Sequence, residues 1–160
     1  MRRLQTYTVS GKNSLNRWTR FRNPFRVAYN FMLVSASRYA PSLALKRFLL
    51  RLTGMKVGKD AAIGLMAMFD VFYPELIELG ENCIIGYNAT ILAHEFLKDG
   101  LRTGKTAVGK DVMVGANTTV LAGVEIGEGA VVSAASLVDG DVPAGSFVKG
   151  NPMQVLKRAE

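Results

Sequence analysis

A six-residue repeat that begins at Val57 constrains the fold more than any other feature of this sequence. An aliphatic or Phe residue returns in twelve rows: Val57, Ile63, Phe69, Leu79, Ile85, Ile91, Val108, Val114, Val120, Ile126, Val132 and Val138. Four extra residues follow the third row, and eleven extra residues, 97–107, follow the sixth. Neither the period of two of a half-buried strand nor the 3.6-residue period of a helix fits this spacing. The repeat predicts short strands joined by tight corners.

The positions between the rows indicate how the corners are made. The residue after each aliphatic one is usually Gly, and the third residue after it favours Asp, Asn or Gly, as at Asp60, Asn82 and Asn88. These residue types tolerate the positive φ that a tight corner needs. The fourth residue is usually small, as at Ala61 and Cys83, and shares the interior without overfilling it. Three strands and three corners close one triangular coil of about 18 residues, so the rows predict a parallel β-helix of about four coils.

Three segments carry a resemblance to a known family. They are 85–94 (IGYNATILAH), 114–124 (VGANTTVLAGV) and 150–158 (GNPMQVLKR). The chain resembles the hexapeptide-repeat acyltransferases, and within them the maltose and galactoside O-acetyltransferase branch. The resemblance implies a mainly β fold with a left-handed parallel β-helix, a homotrimer, and transfer of an acetyl group from acetyl-CoA to a hydroxyl or amine. The implied acceptor is a small molecule or a cell-envelope precursor.

Composition and the residues that start or stop helices divide the chain into three parts. Residues 1–54 are predicted to form a basic helical cap, because Pro24 follows Asn23 at a helix start and Gly54 follows a second helical pattern that begins near Ser42. Residues 55–151 are predicted to form the β-helix, with 97–107 as an insertion loop. Gly100, Gly104 and the lysines of this loop are typical of a mobile, solvated segment. Residues 152–160 are predicted to form a short helix or strand along the outside.

His94 is the only histidine and lies just before the insertion. Its row position predicts an outward-facing corner rather than the core. From position alone, a chance surface histidine and a functional residue are equally acceptable. The family resemblance implies a general base that takes a proton from the attacking acceptor and returns it to the departing thiolate. Glu95 or a backbone carbonyl could orient its ring, and a simple surface role for Glu95 is an equal alternative.

The single cysteine and single histidine limit two other chemistries. Cys83 occupies the small inward slot, where burial would leave it little thiolate character, so core packing is expected and direct transfer is favoured over a covalent intermediate. Related carbonic anhydrases bind zinc through three histidines, and this chain has one. No metal is therefore expected.

The family resemblance also implies a groove for the pantetheine arm of acetyl-CoA. The matching positions are Ala116, Ala134, Asp139, Gly140 and Lys157. Lys157 would meet the nucleotide phosphates. The family often has Thr-Lys where this chain has Asp139 and Gly140, and a basic residue where it has Gln154. These departures leave open a non-catalytic hexapeptide-repeat scaffold as the alternative function.

Charge is distributed unevenly along the chain. Residues 1–59 hold thirteen Lys or Arg and no Asp or Glu, together with aromatic residues that include Trp18, Phe25 and Phe48. Three roles for this segment remain open: a cap whose charges balance the acidic β-helix, contact with an anionic membrane surface, or nucleic-acid binding. No nucleic-acid motif supports the third. With no signal-like or membrane-spanning apolar run, we expect a cytoplasmic protein, with a membrane-peripheral position as the alternative.

The coil that could hold an acceptor differs from that of the sugar acetyltransferases. It reads LMAMFD over 65–70, where those enzymes place polar side chains. The family resemblance is therefore not taken to imply a sugar acceptor for this chain. The methionines are predicted to pack in the core or at a subunit contact, or alternatively to line an apolar acceptor pocket.

Overall fold

The structure, a computed structural model, describes residues 2–156. Its helices are α1 (Pro24–Tyr39) and α2 (Leu43–Leu52), with 3-10 helices over Ser14–Arg20 and Pro74–Leu76. The Asn23 side chain accepts the backbone N–H of Phe25 at the start of α1, and the Ser42 hydroxyl accepts that of Leu45 at the start of α2. The two helices predicted from the proline, asparagine and glycine signals are confirmed. No helix within residues 2–156 has the length and apolarity needed to cross a membrane.

Seventeen short strands, most of them joined by tight turns, make up the β part of residues 2–156. In order they are β1 (Gln5–Thr8), β2 (Lys56–Val57), β3 (Ala62–Ile63), β4 (Met68–Phe69), β5 (Ile77–Leu79), β6 (Ile84–Ile85), β7 (Thr90–Ile91), β8 (His94–Phe96), β9 (Gly100–Thr103), β10 (Thr106–Val108), β11 (Met113–Val114), β12 (Thr119–Val120), β13 (Glu125–Ile126), β14 (Val131–Val132), β15 (Leu137–Val138), β16 (Phe147–Lys149) and β17 (Gln154–Leu156). Most contain two or three residues, as the six-residue rows predict.

Three parallel sheets form the faces of a triangular prism. The first face is β2-β5-β10-β13, the second is β3-β6-β11-β14-β16, and the third is β4-β7-β12-β15. Four complete coils result, and β16 together with a bridge between Val142 and Ile126 begins a fifth. The final strand, β17, runs antiparallel to β16, so the C-terminal segment is a strand in its described part.

The interior of the prism confirms the predicted register. Each of the twelve repeat residues is at most 7% exposed. The small slots, among them Ala61, Cys83 and Ala130, are also buried. At the corners, Asp60, Asn82 and other Asn or Asp residues adopt φ between 53° and 57°. The aliphatic, small and corner slots therefore have the roles that their chemistry predicted.

Basic side chains of the two helices cover the open edge of the first coil. Arg51 donates to the carbonyl of Val57, Arg47 to that of Ala61, and Arg38 to that of Met66. Unpaired carbonyls at a sheet edge are costly when they are removed from water without a donor.

Lys46 completes this cover from inside the protein. It is 2% exposed, and its ammonium group donates to the carbonyls of Ser37, Arg38 and Gly64. Burial lowers the pKa of this lysine, while the three acceptors match its three donors. Lys46 therefore ties the end of α1 to the first coil.

The eleven-residue insertion supplies the turn and the second strand of an ordered hairpin, rather than the mobile, solvated loop that its glycines and lysines predict. Strands β8 and β9 pair antiparallel, β1 pairs with the other edge of β9, and Leu101 is fully buried. A Cβ atom at Gly100 would lie 2.5 Å from the carbonyl oxygen of Tyr7. One at Gly104 would lie 2.6 Å from that of Arg3. The glycines thus make room for the N-terminal strand instead of loosening the insertion.

Candidate active site

Both interruptions of the repeat lie at one corner of the prism. Residues 70–76 follow β4, and the β8–β9 hairpin follows β7 after two residues. Strands β4 and β7 are neighbours on the third face, so their ends lie side by side. The side chains that leave the regular coil therefore meet at this corner, between the third and first faces.

His94 and Asp70 form a hydrogen-bonded pair at this corner. Nδ1 of His94 contacts Oδ2 of Asp70, whose side chain is fully buried. The His94 side chain is 14% exposed. The sequence predicts an outward-facing corner for His94, whereas in the structure His94 begins strand β8 and its ring is largely enclosed.

The Asp70 carboxylate is held in its ionised form by donors on both oxygens. Oδ1 accepts the backbone N–H groups of Phe72 at 2.8 Å and Tyr73 at 3.0 Å, and Oδ2 accepts that of Ala93 at 2.8 Å. Burial alone would raise the pKa of Asp70. The hydrogen bond and charge of His94, with the N–H groups of Tyr73 and Ala93, outweigh burial and hold that pKa below its ordinary value.

This environment determines how the imidazole can act. An ionised carboxylate has no proton to donate. Nδ1 of His94 must therefore carry the proton and donate it in the hydrogen bond to Asp70. In the neutral ring, Nε2 then holds the lone pair. The pair therefore presents Nε2 as a base, with Asp70 fixing the tautomer and the orientation.

Aromatic rings enclose the imidazole. The centroids of Phe72 and Phe96 each lie 4.8 Å from that of His94, and that of Tyr73 lies 5.9 Å away. Trp18 packs edge-on against Phe72 at 5.6 Å. Part of this wall therefore comes from the N-terminal segment, for which the sequence predicted only a cap or a binding role.

The N-terminal residues also hold the hairpin that begins with His94. Arg2 pairs with Glu95, and the Ser14 hydroxyl donates to the carbonyl of Leu97 at 2.6 Å. Glu95 thus pairs with Arg2, and the contact that orients the His94 ring is made by Asp70 instead of by Glu95 or a backbone carbonyl.

Cys83 lies away from this chemistry. It is fully buried in the core, and burial raises its pKa to about 11. A thiol in this state is a poor nucleophile near neutral pH. The prediction that Cys83 is a packing residue is confirmed.

The residues predicted for the cofactor groove border the third face. Ala116 and Ala134 occupy the same corner in successive coils, and the N–H of Ala135 donates to the carbonyl of Ala116 at 2.8 Å. Asp139 and Gly140 follow β15 at the opposite edge, on the side where His94 follows β7. Lys157 lies outside the described residues.

Asp70 is the site residue that sequence reasoning missed. It occupies the slot after an aliphatic residue, where most rows have Gly, and it directly precedes the first interruption of the repeat. A carboxylate in that slot at a break in the coil was the available signal. Its partner lies 24 positions later along the chain, across one coil and its insertion.

Comparison with known proteins supports the family assignment. The family model described as hexapeptide repeat of succinyl-transferase matches residues 105–139. The candidate acetyltransferase YvoF of Bacillus subtilis is 50% identical over 163 residues, covering 100% of this chain and 94% of that protein.

Solved structures give the same fold at lower identity. The hexapeptide-repeat acetyltransferase VCA0836 of Vibrio cholerae aligns with a TM-score of 0.67 at 20% identity, covering 85% of this chain and 92% of that one. A second structure of VCA0836 contains acetyl-CoA and aligns at 0.66, with 19% identity and coverage of 85% and 88%. The maltose O-acetyltransferase of Clostridium difficile 630 aligns at 0.64, with 21% identity and coverage of 85% and 87%. The parallel coils, the matched repeat and the full-length relative together show that this chain belongs to the hexapeptide-repeat acetyltransferases, whose fold is a left-handed parallel β-helix.

Proposed function

We propose that the protein moves an acetyl group from acetyl-CoA directly to a hydroxyl or amine, with Nε2 of His94 as the general base. The acceptor is a small molecule or a cell-envelope precursor. The observation that carries the proposal is the buried, ionised Asp70, which holds the proton on Nδ1 and leaves Nε2 with its lone pair. A surface histidine without a catalytic role has no need of a fully desolvated carboxylate beneath it.

The chemistry follows from this arrangement. Nε2 of His94 removes the proton from the acceptor as its oxygen or nitrogen attacks the thioester carbonyl carbon. The tetrahedral intermediate then expels the CoA thiolate, and the imidazolium returns the proton to that sulfur. Asp70 stabilises the imidazolium between the two proton transfers. No atom of the protein is acylated, in agreement with the buried thiol of Cys83.

Acetyl-CoA is proposed to lie along the third face. Ala116 and Ala134 at one edge offer a wall without long side chains, and Asp139 and Gly140 flank the other edge. Acetyl-CoA bound to VCA0836 supports this donor for a chain of the same fold. Lys157 is proposed to meet the nucleotide phosphates.

A homotrimer is proposed as the working form. The outward side chains of the second face include Ala62, Ile84, Met113 and Val131, of which Ile84 is 48% and Met113 42% exposed. An apolar ladder of this kind is typical of a subunit contact. Light scattering tests the assembly: a monodisperse, active monomer would contradict it.

The base is tested by His94→Ala. Loss of general-base catalysis should lower turnover about 10²–10⁴-fold, because the remaining contacts still bind and position the substrates. Acetyl-CoA affinity, measured by calorimetry, should stay within a few-fold of wild type. Turnover is followed as CoA thiol release with amino sugars, cell-envelope precursors and small amines as trial acceptors.

Lys98→Ala provides the matched control, since Lys98 is exposed in the turn of the same hairpin. Wild-type turnover in His94→Ala, with an acceptor established for the wild type, would remove His94 from the mechanism.

A further inference from the structure

The outer surface of the two-helix cap is apolar although nothing within residues 2–156 covers it. On α1, Phe25, Tyr29, Met32 and Tyr39 recur at intervals of three, four and seven residues and lie on one side of the helix. Phe25 is 85% exposed and Tyr39 is 66% exposed. The opposite side of α1, with Asn30, Val34 and Ser37, is buried against the rest of the protein. The exposed aromatic side is therefore a second apolar face and not part of the core.

Helix α2 extends this surface. Leu45, Phe48 and Leu52 share one side of α2 and are between 42% and 58% exposed, while Lys46 and Leu50 point inward. The Tyr29 hydroxyl lies 3.5 Å from the carbonyl oxygen of Leu52, so the two exposed sides adjoin. Together the two exposed sides form the cap face, which consists of Phe25, Tyr29, Met32, Tyr39, Leu45, Phe48 and Leu52.

The charged side chains of the cap helices themselves are all positive. Residues 23–53 contain five Lys or Arg and no Asp or Glu. Arg38, Lys46, Arg47 and Arg51 donate to backbone carbonyls of the first coil and of α1. Those acceptors are neutral, so these hydrogen bonds orient the cations without cancelling their charge.

This combination selects among the partners that an apolar helix face can have. A second copy of the chain would bring one positive cap against another, and like charges facing across an apolar contact are unfavourable. An anionic bilayer offers negative charge at its surface and an apolar interior just below it. Protruding Phe and Tyr side chains on paired helices suit that boundary, where helices lie in the plane of the membrane.

We propose that the cap face docks on the surface of an anionic phospholipid bilayer, with α1 and α2 lying flat on it and the β-helix projecting away. The cap face, with Phe25 and Phe48 among its exposed aromatic residues, enters the headgroup region, and the cations behind it attract the lipid phosphates. Docking needs no spanning segment and makes no use of the Asp70–His94 pair. It is therefore independent of the proposed reaction.

Cosedimentation of the full chain with lipid vesicles tests the proposal. The protein should bind vesicles of phosphatidylglycerol and phosphatidylcholine more than tenfold better than vesicles of phosphatidylcholine alone. Raising the ionic strength from about 0.1 M to about 1 M should weaken binding, because the screening length falls from about 10 Å to about 3 Å. The double variant Phe25→Ser, Phe48→Ser should lose at least about tenfold in partitioning, since two aromatic side chains no longer enter the lipid.

Tyr87→Ser is the matched control. Tyr87 is 56% exposed, close to the 58% of Phe48, but lies on a corner of the second coil, outside the cap face. Its variant should bind vesicles as the wild type does, and circular dichroism should show that all variants are folded. Absence of binding to anionic vesicles, or equal losses in the control and the double variant, would overturn the proposal. So would a double variant that binds vesicles normally but has a lower mass in light scattering, because the cap face would then be a contact between subunits.

Discussion

Replacing Asp70 with asparagine tests the catalytic pair sharply, because the substitution keeps the size of the side chain and removes its charge. Two donors reach each carboxylate oxygen: Phe72 and Tyr73 on Oδ1, and Ala93 and His94 on Oδ2. Asparagine has one oxygen, so its NH₂ group must face two donors in either orientation.

The two orientations differ in cost. If the NH₂ group faces Phe72 and Tyr73, two buried N–H groups lose their acceptor. If the NH₂ group faces Ala93 and His94, only the Ala93 N–H loses its acceptor, because the imidazole can change tautomer and accept through Nδ1. Each unsatisfied donor costs about 1–3 kcal/mol, so the second orientation should win by about that amount. Nε2 of His94 would then carry the proton and could not act as a base.

The expected results are a free energy of unfolding lower by about 1–3 kcal/mol and a turnover lower by about 10²–10⁴-fold. The tautomer can be observed directly, because a single histidine gives one imidazole spin system in ¹⁵N-histidine-labelled protein. Wild type should show the proton on Nδ1, and the variant should show it on Nε2. Asp99→Asn, which removes an exposed carboxylate in the turn of the hairpin that begins with His94, is the control. An Asp70→Asn variant with the wild-type tautomer and wild-type turnover would refute this account of the pair.

Three further changes test other parts of the structure. The pKa of Asp70 is lowered in the folded state, so its contribution to stability is present above the ordinary carboxyl pKa near 4 and is lost as pH falls through the folded value. Urea titrations across this range should show that the free energy of unfolding falls more steeply with decreasing pH in wild type than in Asp70→Asn. Cys83, with a pKa of about 11, should resist alkylation at pH 8 until the protein is unfolded, and Cys83→Ala should keep turnover while losing about 1–2 kcal/mol of stability; a folded but inactive variant would reopen a covalent route. Gly104→Ala should displace the N-terminal strand, since its Cβ would lie 2.6 Å from the Arg3 carbonyl oxygen, and limited proteolysis should then cut before residue 22 faster than in Gly140→Ala, where the nearest atom is 3.4 Å away.

The coils were predictable because the residues within each row determine the local structure of that row. An aliphatic residue, a small residue and a corner residue such as Asn88 specify one strand and one turn without reference to distant parts of the chain. The starts of α1 and α2 were predictable for the same reason, since Asn23 and Ser42 cap the turns that immediately follow them.

The site was only half predictable because it depends on chain segments that meet only in the folded protein. His94 stood out as the single histidine beside an insertion, whereas Asp70 gains its role from a partner one coil away. Strand β1 pairs with β9 across more than ninety residues, and no local pattern in Gln5–Thr8 indicates that partner. The glycines of the insertion predict a mobile loop from sequence, whereas in the structure they accommodate the approach of the N-terminal backbone.

The basic cover over the first coil also limits how far the β-helix can extend. Each coil offers the next one a row of hydrogen-bonding groups at the same spacing, so a bare terminal coil would match the end of another molecule. Arg38, Arg47 and Arg51 donate to carbonyls of the first coil, so these carbonyls are not available to pair with a coil of another molecule. At the other end, β17 runs antiparallel and breaks the repeat. The helices thus act as a stop against end-to-end polymerisation, and a chain lacking residues 1–54 would expose a surface suited to growing into fibres.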